Sequence, residues 1–213
     1  MRVKAVGSYG MSRDQLLQLQ HPRPRNIICF IKHSFQDDAT FAALPAIAAA
    51  FPERLVYVKA KQQKGGAFRA KLDRMFEVGP MNLVETNENS YELLLKAQYS
   101  LSDPSSLVVE AIQFGLVSFA LITDARWYKL YFRDFPHLCL TSAEAAIERI
   151  RAIERGAWTY PRSSYEPLTD LSGRVIWDVI REDMGLRAKE PQPLPYLNFA
   201  AMGDESRVHA VAS

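Results

Sequence analysis

The hydrophobic and polar positions of the chain alternate between two patterns over most of its length. Short apolar, β-branched runs are followed by longer stretches in which apolar residues recur at helical spacing. Because strands that alternate with helices form βαβ units, this pattern predicts a parallel sheet with helices on both faces. Six strands are predicted, at residues 26–32, 54–60, 82–86, 99–102, 116–123 and 137–141. The first and fifth are almost continuously apolar, as strands covered on both faces usually are.

Five helices are predicted between and after these strands, at residues 38–51, 67–76, 90–97, 104–114 and 142–156. We expect Pro45 to kink or shorten the first helix, since proline lacks a backbone donor. Ser142 and Gly156 are expected to begin and end the last one. With right-handed crossovers, these elements form a doubly wound, Rossmann-like α/β sheet of about six strands. A further helix is predicted at residues 171–183.

Changes in composition near the two ends predict one folded unit with a flanking segment on each side. We expect residues 1–25 to be a linker-like segment and residues 26–185 to be the Rossmann-like domain. Residues 186–213 are rich in proline, small and polar residues, which predicts a flexible tail. A chain of 213 residues is long enough to bury a substantial core.

Composition excludes several classes of protein. The hydrophobic share of 48% and the charged share of 23% are ordinary for a globular protein, and a net charge of +2 favours no nucleic-acid partner. No stretch has the length of a membrane span or of a signal-peptide core. We therefore expect a cytoplasmic protein, with peripheral contact at the inner membrane face as an extension of that expectation. Cys29 and Cys139 lie in apolar runs, which predicts buried free thiols.

The stretch YSLSDPSSLVVEAIQFGLVSFAL, residues 99–121, contains the main candidate for binding chemistry. In an open parallel sheet, ligands bind outside the carboxyl ends of the strands, and this serine-rich turn follows the fourth strand. We expect Asp103 to be the helix N-cap and Pro104 the first helical residue, which leaves free amides beside the hydroxyls of Ser105 and Ser106. Such a helix end attracts anions. The same sequence is also a common helix start, so a purely structural role stays open.

Glu110 lies one helical turn after Ser106. A carboxylate at that position can accept hydrogen bonds from the vicinal hydroxyls of a ribose or sugar while the serines hold a phosphate. The spacing therefore suits a sugar nucleotide. The alternative is that Glu110 is an ordinary solvated acid.

The segment ENSYELLLKAQYSLSDPSSLVVEAIQFGLVSFALITD resembles the donor-binding half of GT-B-type glycosyltransferases, and looks most like bacterial enzymes of surface polysaccharide assembly. The resemblance covers roughly residues 27–150 and is specific around residues 90–124. It implies a single domain of the GT-B C-terminal type. It also implies that Ser105 and Ser106 bind the diphosphate, with Ser102 in the same set, and that Glu110 grips the ribose or donor sugar. The opening VKAVGSYGMSRDQLL is similar to the segment that links the two halves of such enzymes.

Two lysines lie where the second strand ends, at the same edge of the predicted sheet. Lys59 and Lys61 belong to the most basic part of the chain, residues 59–74, and are in position to meet a diphosphate. The remaining basic residues of that part are expected to form a solvated helix face.

Two further loops become candidates through the resemblance. The loop after the first strand faces the cleft in that fold, which makes Ser34 a candidate for binding the donor and His33 a candidate for a catalytic role. The loop after the fifth strand lies near the donor sugar, which makes Asp124 a candidate as well. Structural roles stay open for each of them, as a hydrogen-bonded strand end or as part of a surface flap.

No metal ligands are predicted, because the four histidines are scattered and no CxxC or HxxxH spacing occurs. No cofactor is expected either. Glycosyl transfer by the resembling fold needs no bound metal when helix-end donors and basic residues stabilise the leaving diphosphate.

The resemblance implies transfer of a sugar from a nucleotide-activated donor to a polysaccharide or lipid-linked acceptor. Such enzymes take the acceptor site, and usually the catalytic base, from an N-terminal Rossmann-like domain, whereas this chain has one such domain. A separate acceptor-binding subunit of the N-terminal type is therefore an expected partner, unless the chain is a truncated product. The alternative function is a non-catalytic nucleotide-sugar-binding module or a partner subunit without independent turnover. No nucleic acid is expected as a partner.

Overall fold

The computed structural model describes residues 23–32, 38–61, 66–123, 132–165, 167–168, 180 and 184–185. The helix predicted at residues 171–183 lies almost entirely outside the described residues, as do the segments predicted to flank the domain. No helix in the described part has the length and hydropathy that a membrane crossing requires.

One parallel sheet of six strands forms the centre of the described part. Its strands are β1 (Ile27–Ile31), β2 (Val56–Ala60), β3 (Leu83–Glu85), β4 (Tyr99–Ser102), β5 (Val117–Leu121) and β6 (Cys139–Leu140). The strand order is β3-β2-β1-β4-β5-β6, and all five pairings are parallel. The prediction of a doubly wound, Rossmann-like α/β fold is confirmed.

Five α-helices connect and follow the strands, together with 3₁₀ turns at Pro136–Leu138 and Arg162–Tyr165. The helices are α1 (Asp38–Ala50), α2 (Ala67–Val78), α3 (Ser90–Leu94), α4 (Ser106–Gln113) and α5 (Ala143–Glu154). Pro45 lies inside α1, so the helix is not shortened there; shortening was one of the two effects expected of this proline. A buried apolar face on this helix, with Leu44 and Ile47 fully enclosed, keeps it in place although proline removes one backbone hydrogen bond.

Apolar side chains cover both faces of the sheet, because residues alternate in direction along each strand. Ile27, Cys29 and Ile31 of β1 face a core that includes residues of α1, α2 and α5. Ile28 and Phe30 face the other way, into a core with residues of α3 and α4. Both cysteines are free thiols, and burial raises the pKa of each; Cys29 is fully buried and Cys139 half-buried.

Helix ends follow the local sequence closely, with one exception. The Ser142 side chain accepts a hydrogen bond from the Ala145 amide at 3.1 Å, so Ser142 caps α5 as predicted. Gly115 and Gly156 have φ angles of +82° and +68°, a region that glycine enters without strain. The exception is α4, whose N-cap is Ser105 and not the predicted Asp103.

A buried ion pair closes the amino-terminal edge of the sheet, opposite the edge where the strands end. Arg54 is 8% exposed, and its Nη2 donates to Glu154 Oε2 at 2.9 Å. Glu154 Oε1 lies 2.8 Å from Arg54 Nη1 and accepts a hydrogen bond from the Tyr99 hydroxyl at 3.1 Å. This network ties the end of α5 to the start of β2 and to β4.

Candidate functional site

A cavity of about 300 Å³ lies at the carboxyl ends of the strands. It is placed where β1 separates β2 from β4, which is the point at which the direction of strand order reverses. Ligands of open α/β sheets bind at such a switch point. The cavity is lined by residues at the ends of β1 and β2 and at the starts of α3 and α4: Phe30, Ile31, Lys32, Lys59, Lys61, Ser90, Ser105, Ser106 and Leu107.

The first residues of α4 contribute amides and hydroxyls to the cavity. Ser105 is extended, with φ −160° and ψ 171°, and its side chain makes no capping hydrogen bond. The opening amides of an α-helix have no partner within the helix, so those of Ser106 and Leu107 are available to a ligand. The positive end of the helix dipole strengthens this preference for an anion.

The Asp103 side chain does not cap α4 as was predicted but connects two strands. It is 3% exposed, and its Oδ2 accepts a hydrogen bond of 2.5 Å from the backbone N–H of Lys32. The Asp103 amide in turn donates to the carbonyl of Phe30 at 2.9 Å. Asp103 therefore joins the end of β4 to the end of β1, and fixes the position of Lys32 relative to the start of α4.

Lysine supplies the charge of the cavity, from the ends of β1 and β2. The Lys59 ammonium donates to the carbonyl of Glu88 and lies 3.5 Å from the carbonyl of Asn87, so it holds the loop between β3 and α3. Lys61 is exposed, and among the residues that the structure describes its ammonium has no hydrogen-bond or ion-pair partner. Lys32 lies between them and Asp103.

No carboxylate is among the described residues that line the cavity. Two acids of nearby loops and strands are occupied elsewhere. Glu85 forms a two-point contact with Arg69, and Glu88 Oε2 lies 2.5 Å from the ammonium of Lys96. The buried acid beside the cavity is Asp103. The lining thus carries an excess of positive charge, which favours an anionic ligand with more than one charge.

The structure brings together four of the predicted binding residues, Ser105, Ser106, Lys59 and Lys61. It does not bring Ser102 to the cavity. That residue is fully buried, and its hydroxyl lies 3.0 Å from the hydroxyl of Ser100. Because both groups satisfy each other inside the sheet, the Ser102 side chain is not available to a ligand.

Glu110 is half-buried and does not line the cavity. It lies one helical turn beyond Ser106, which keeps it on the same side of α4. His33, Ser34 and Asp124 lie outside the described residues. Within the described ranges, no three His, Cys, Asp or Glu side chains converge as metal ligands would.

Sequence reasoning missed Ser90 and gave no separate role to Lys32. Ser90 begins α3, directly after the N-cap Asn89, whose side chain accepts from the Tyr91 amide at 2.9 Å. The signal was present, since a polar residue that opens a helix after a parallel strand lies at the same edge as Ser105. Lys32 was seen only as part of the loop that follows the first strand.

Comparison with solved structures finds similar folds. A UDP-GlcNAc 2-epimerase from Neisseria meningitidis, bound to UDP-GlcNAc, aligns with 81% of this chain and 48% of its own at 16% identity and a TM-score of 0.49. A variant of the wall teichoic acid polymerase TagF, soaked with CDPG, aligns with 81% of this chain and 46% of its own at 12% identity and a TM-score of 0.50. Another UDP-N-acetylglucosamine 2-epimerase aligns with 88% and 50% at 19% identity and a TM-score of 0.47.

This similarity concerns the fold. The chain spans about half the length of each of these structures. The neighbours have the GT-B fold, so the resemblance to a GT-B-type half of the C-terminal kind is confirmed at the level of architecture. No family model matches the chain, and no curated protein matches it.

Proposed function

We propose that this chain binds a nucleotide-activated sugar through its diphosphate, and acts as the donor-binding half of a glycosyltransferase. The observation that carries the proposal is the cavity at the switch point, which combines three lysines with the open start of α4 and, among the residues that the structure describes, no lining carboxylate. A volume of about 300 Å³ is at the lower end of the range for small-molecule sites, roughly 300–1,000 Å³. It suits the diphosphate, while the base and the sugar extend beyond it.

Each group in the cavity has a role in this proposal. The amides of Ser106 and Leu107 and the hydroxyls of Ser105 and Ser106 hold the phosphate oxygens. Lys61 balances the charge that develops on the diphosphate as it leaves. An ammonium has three donors, so Lys59 keeps a donor for the ligand while it holds the loop before α3. Glu110 accepts hydrogen bonds from sugar or ribose hydroxyls beyond the phosphates.

Donors that are already in place cost no reorganisation when charge develops, which is the main source of electrostatic catalysis. The Lys59 ammonium is held by its contact with the loop before a ligand arrives. The hydrogen bond from the Lys32 backbone N–H to Asp103 holds the end of β1 against the end of β4, next to the start of α4. Departure of a nucleoside diphosphate from an anomeric carbon is therefore the reaction step that this cavity is suited to assist.

The acceptor side completes the proposal. Neighbouring structures about twice as long support an active unit with a second half, which is either a separate acceptor-binding subunit or a further domain. The acceptor is a glycan or a lipid-linked saccharide. The second candidate function, a nucleotide-sugar-binding module without turnover, uses the same cavity. It is favoured because no described residue that lines the cavity is an acid that could act as a base, while the nearby Asp103 is buried and bonded to the Lys32 amide.

Isothermal titration calorimetry with UDP, CDP and GDP tests the binding step. We expect one of these nucleotides to bind, and Lys61→Gln or Ser106→Ala to weaken it. Loss of a charge-assisted hydrogen bond costs about 1.5–3 kcal/mol, or roughly 10- to 150-fold in Kd. Lys71→Gln is the matched control, because it removes the same charge from the exposed part of α2, away from the cavity. Failure of all three nucleotides to bind, or equal effects of Lys61→Gln and Lys71→Gln, would falsify the site.

Turnover separates the two candidate functions. Release of free nucleoside diphosphate from the matching nucleotide sugar, with or without an added acceptor, supports the transferase. Tight binding with no release under any of these conditions supports the module. Glu110→Ala adds a further distinction: it should weaken binding of the nucleotide sugar more than binding of the free pyrophosphate.

A further inference from the structure

A groove of about 390 Å³ lies between β6 and α5, and it shares no lining residue with the cavity at the switch point. Cys139, Leu140 and Thr141 form one wall, and α5 forms the other. Ala145, Ala152 and Ala157 contribute small side chains, so the groove has a shallow apolar floor. Nothing in the proposed donor site uses this region of the fold.

Arg149 lines this groove without a carboxylate partner among the described residues. Its guanidinium carbon lies 4.1 Å from the centre of the Trp158 ring, which holds it in place by a cation–π contact. The Trp158 ring is itself held by ring contacts with Phe119 and Tyr160, each with centroids 6.2 Å apart. The arginine is thus fixed in position while its charge stays unmatched.

Two polar groups in this region are enclosed and, within the described ranges, have no hydrogen-bond partner. They are Nη1 of Arg149 and the hydroxyl of Tyr165, which is 1% exposed. Tyr165 packs in the same cluster as Cys139 of the groove wall. Burial raises the pKa of Tyr165 to about 12 against the opposing effect of the nearby Arg149 charge. Buried polar groups are rarely left without partners, because desolvation then has no compensation.

The charged residues of the groove lining are one acid and one base, Glu148 and Arg149. Glu148 Oε1 lies 3.0 Å from Nη2 of Arg155, so one positive charge already matches it. Among the described residues, the charge of Arg149 has no acid to balance it. The Thr141 hydroxyl stands at the carboxyl end of the same groove as a neutral donor.

We propose that the groove between β6 and α5 is a second ligand site, in which Arg149 binds an oxyanion, a carboxylate or a phosphate, carried on a compact body that packs on the alanines. A guanidinium presents several donors in one plane, which matches the geometry of both anions. The proposal is independent of the donor site and of the proposed function.

Nuclear magnetic resonance of the tryptophan indole groups tests this site directly. The sequence has three tryptophans, so Trp158→Phe assigns the relevant resonance. The full chain is titrated at constant ionic strength with inorganic phosphate and, separately, with glucuronate, a sugar that carries a carboxylate. A repeat titration uses the Lys61→Gln variant, in which phosphate binding at the lysine cavity is weakened, so that a shift of the same size reports on the groove.

We expect a saturable shift of the Trp158 indole resonance, with a Kd at or below roughly 10 mM for at least one probe. Arg149→Gln should weaken that binding at least tenfold, whereas Arg151→Gln, which removes the same charge from α5 outside the groove lining, should change it less than twofold. A response to phosphate alone or to glucuronate alone identifies the anion.

Absence of a saturable shift with both probes would overturn the proposal, as would equal responses in the wild type and in Arg149→Gln. Arg149→Lys serves if the glutamine variant does not fold, as judged by circular dichroism. It keeps the charge but loses the planar fork, and should still weaken binding if Arg149 contacts the anion. Undiminished binding in that variant would contradict the assigned role.

Discussion

Glu154 matches the charge of the buried Arg54 at the amino-terminal edge of the sheet, so its removal should destabilise the fold. In Glu154→Ala, Arg54 loses a hydrogen bond of 2.9 Å and a second contact of 2.8 Å, and Tyr99 loses its acceptor. Removing one partner of a buried ion pair costs about 3–5 kcal/mol. Arg54 keeps a second acid in this variant, because its Nε also donates to Glu53 Oε1 at 2.8 Å, and the Glu154 side chain is 18% exposed. For both reasons the lower figure, about 3 kcal/mol, applies.

Urea unfolding followed by circular dichroism measures this loss, and thermal unfolding gives a second estimate. For a domain of this size, about 3 kcal/mol corresponds to a fall in Tm of roughly 6–12 °C. The double variant Arg54→Met, Glu154→Leu replaces the pair by apolar side chains and should recover most of the stability. A loss below about 1 kcal/mol in Glu154→Ala, or a double variant no more stable than the single one, would refute the reasoning.

The same variant is a control for function. Glu154 lies at the edge of the sheet opposite the lysine cavity, so Glu154→Ala should leave the Kd for a nucleoside diphosphate unchanged within about twofold while the protein is folded. A large change in affinity would show that the two edges are coupled.

Three further predictions concern single groups. The Asn82 amide nitrogen donates to three backbone carbonyls around the end of α1, at 2.8–3.0 Å. Asn82→Asp replaces this donor by an acceptor, so urea unfolding should show a loss of stability of at least about 2 kcal/mol. A smaller loss than in Asn82→Ala would contradict this. Asp103→Asn keeps an acceptor for the Lys32 amide but removes a negative charge beside the cavity. Calorimetry should therefore find that a nucleoside diphosphate binds about two- to tenfold more tightly. Weaker binding would mean that the negative charge is needed to maintain the structure of the site. Burial raises the pKa of Tyr165 to about 12, above its ordinary value near 10, so the folded state holds this proton more tightly. Its contribution to stability is therefore complete below about pH 10 and lost as the pH rises towards 12, and Tyr165→Phe should flatten that decline in urea midpoints; identical slopes would exclude the effect.

Local rules predicted the elements well, since they act within a few residues. The fourth strand has the predicted bounds, and the other strands lie within theirs. Helix ends depend on properties of a single residue. Ser142 begins α5 because its side chain accepts a hydrogen bond, and Gly115 and Gly156 follow helix ends because glycine tolerates a positive φ. The position of α4 was less accurate by two residues, because Asp103 was expected to cap the helix but instead reaches across to the backbone of β1. That contact joins residues 71 positions apart, which local sequence does not reveal.

The candidate site shows the same division. The edge of the sheet, the start of α4 and the lysines at and just after the end of β2, Lys59 and Lys61, were expected from the alternation of strands and helices. The position of Ser102 was not predictable in this way. It lies in a strand that is covered on both faces, and there the sequence does not distinguish a serine that faces the core from one that faces a ligand. The contacts of a long side chain are also difficult to predict from sequence. The Lys59 ammonium contacts backbone carbonyls in a loop that lies 28 and 29 residues further along the chain.

The pairing of cations separates structural roles from binding roles in this fold. Arg54, which is buried, has an acid and a ring on either side of it, as a cation that stabilises the folded state requires. Lys61 at the opposite edge has no partner in the described part of the chain, and an unmatched ammonium adds nothing to stability unless a ligand supplies the opposite charge. A ligand adds stability to the folded state when it satisfies charges and hydrogen-bond donors that the protein leaves without partners. We therefore expect the affinity for a diphosphate to arise from the unmatched Lys61 and the open amides of α4.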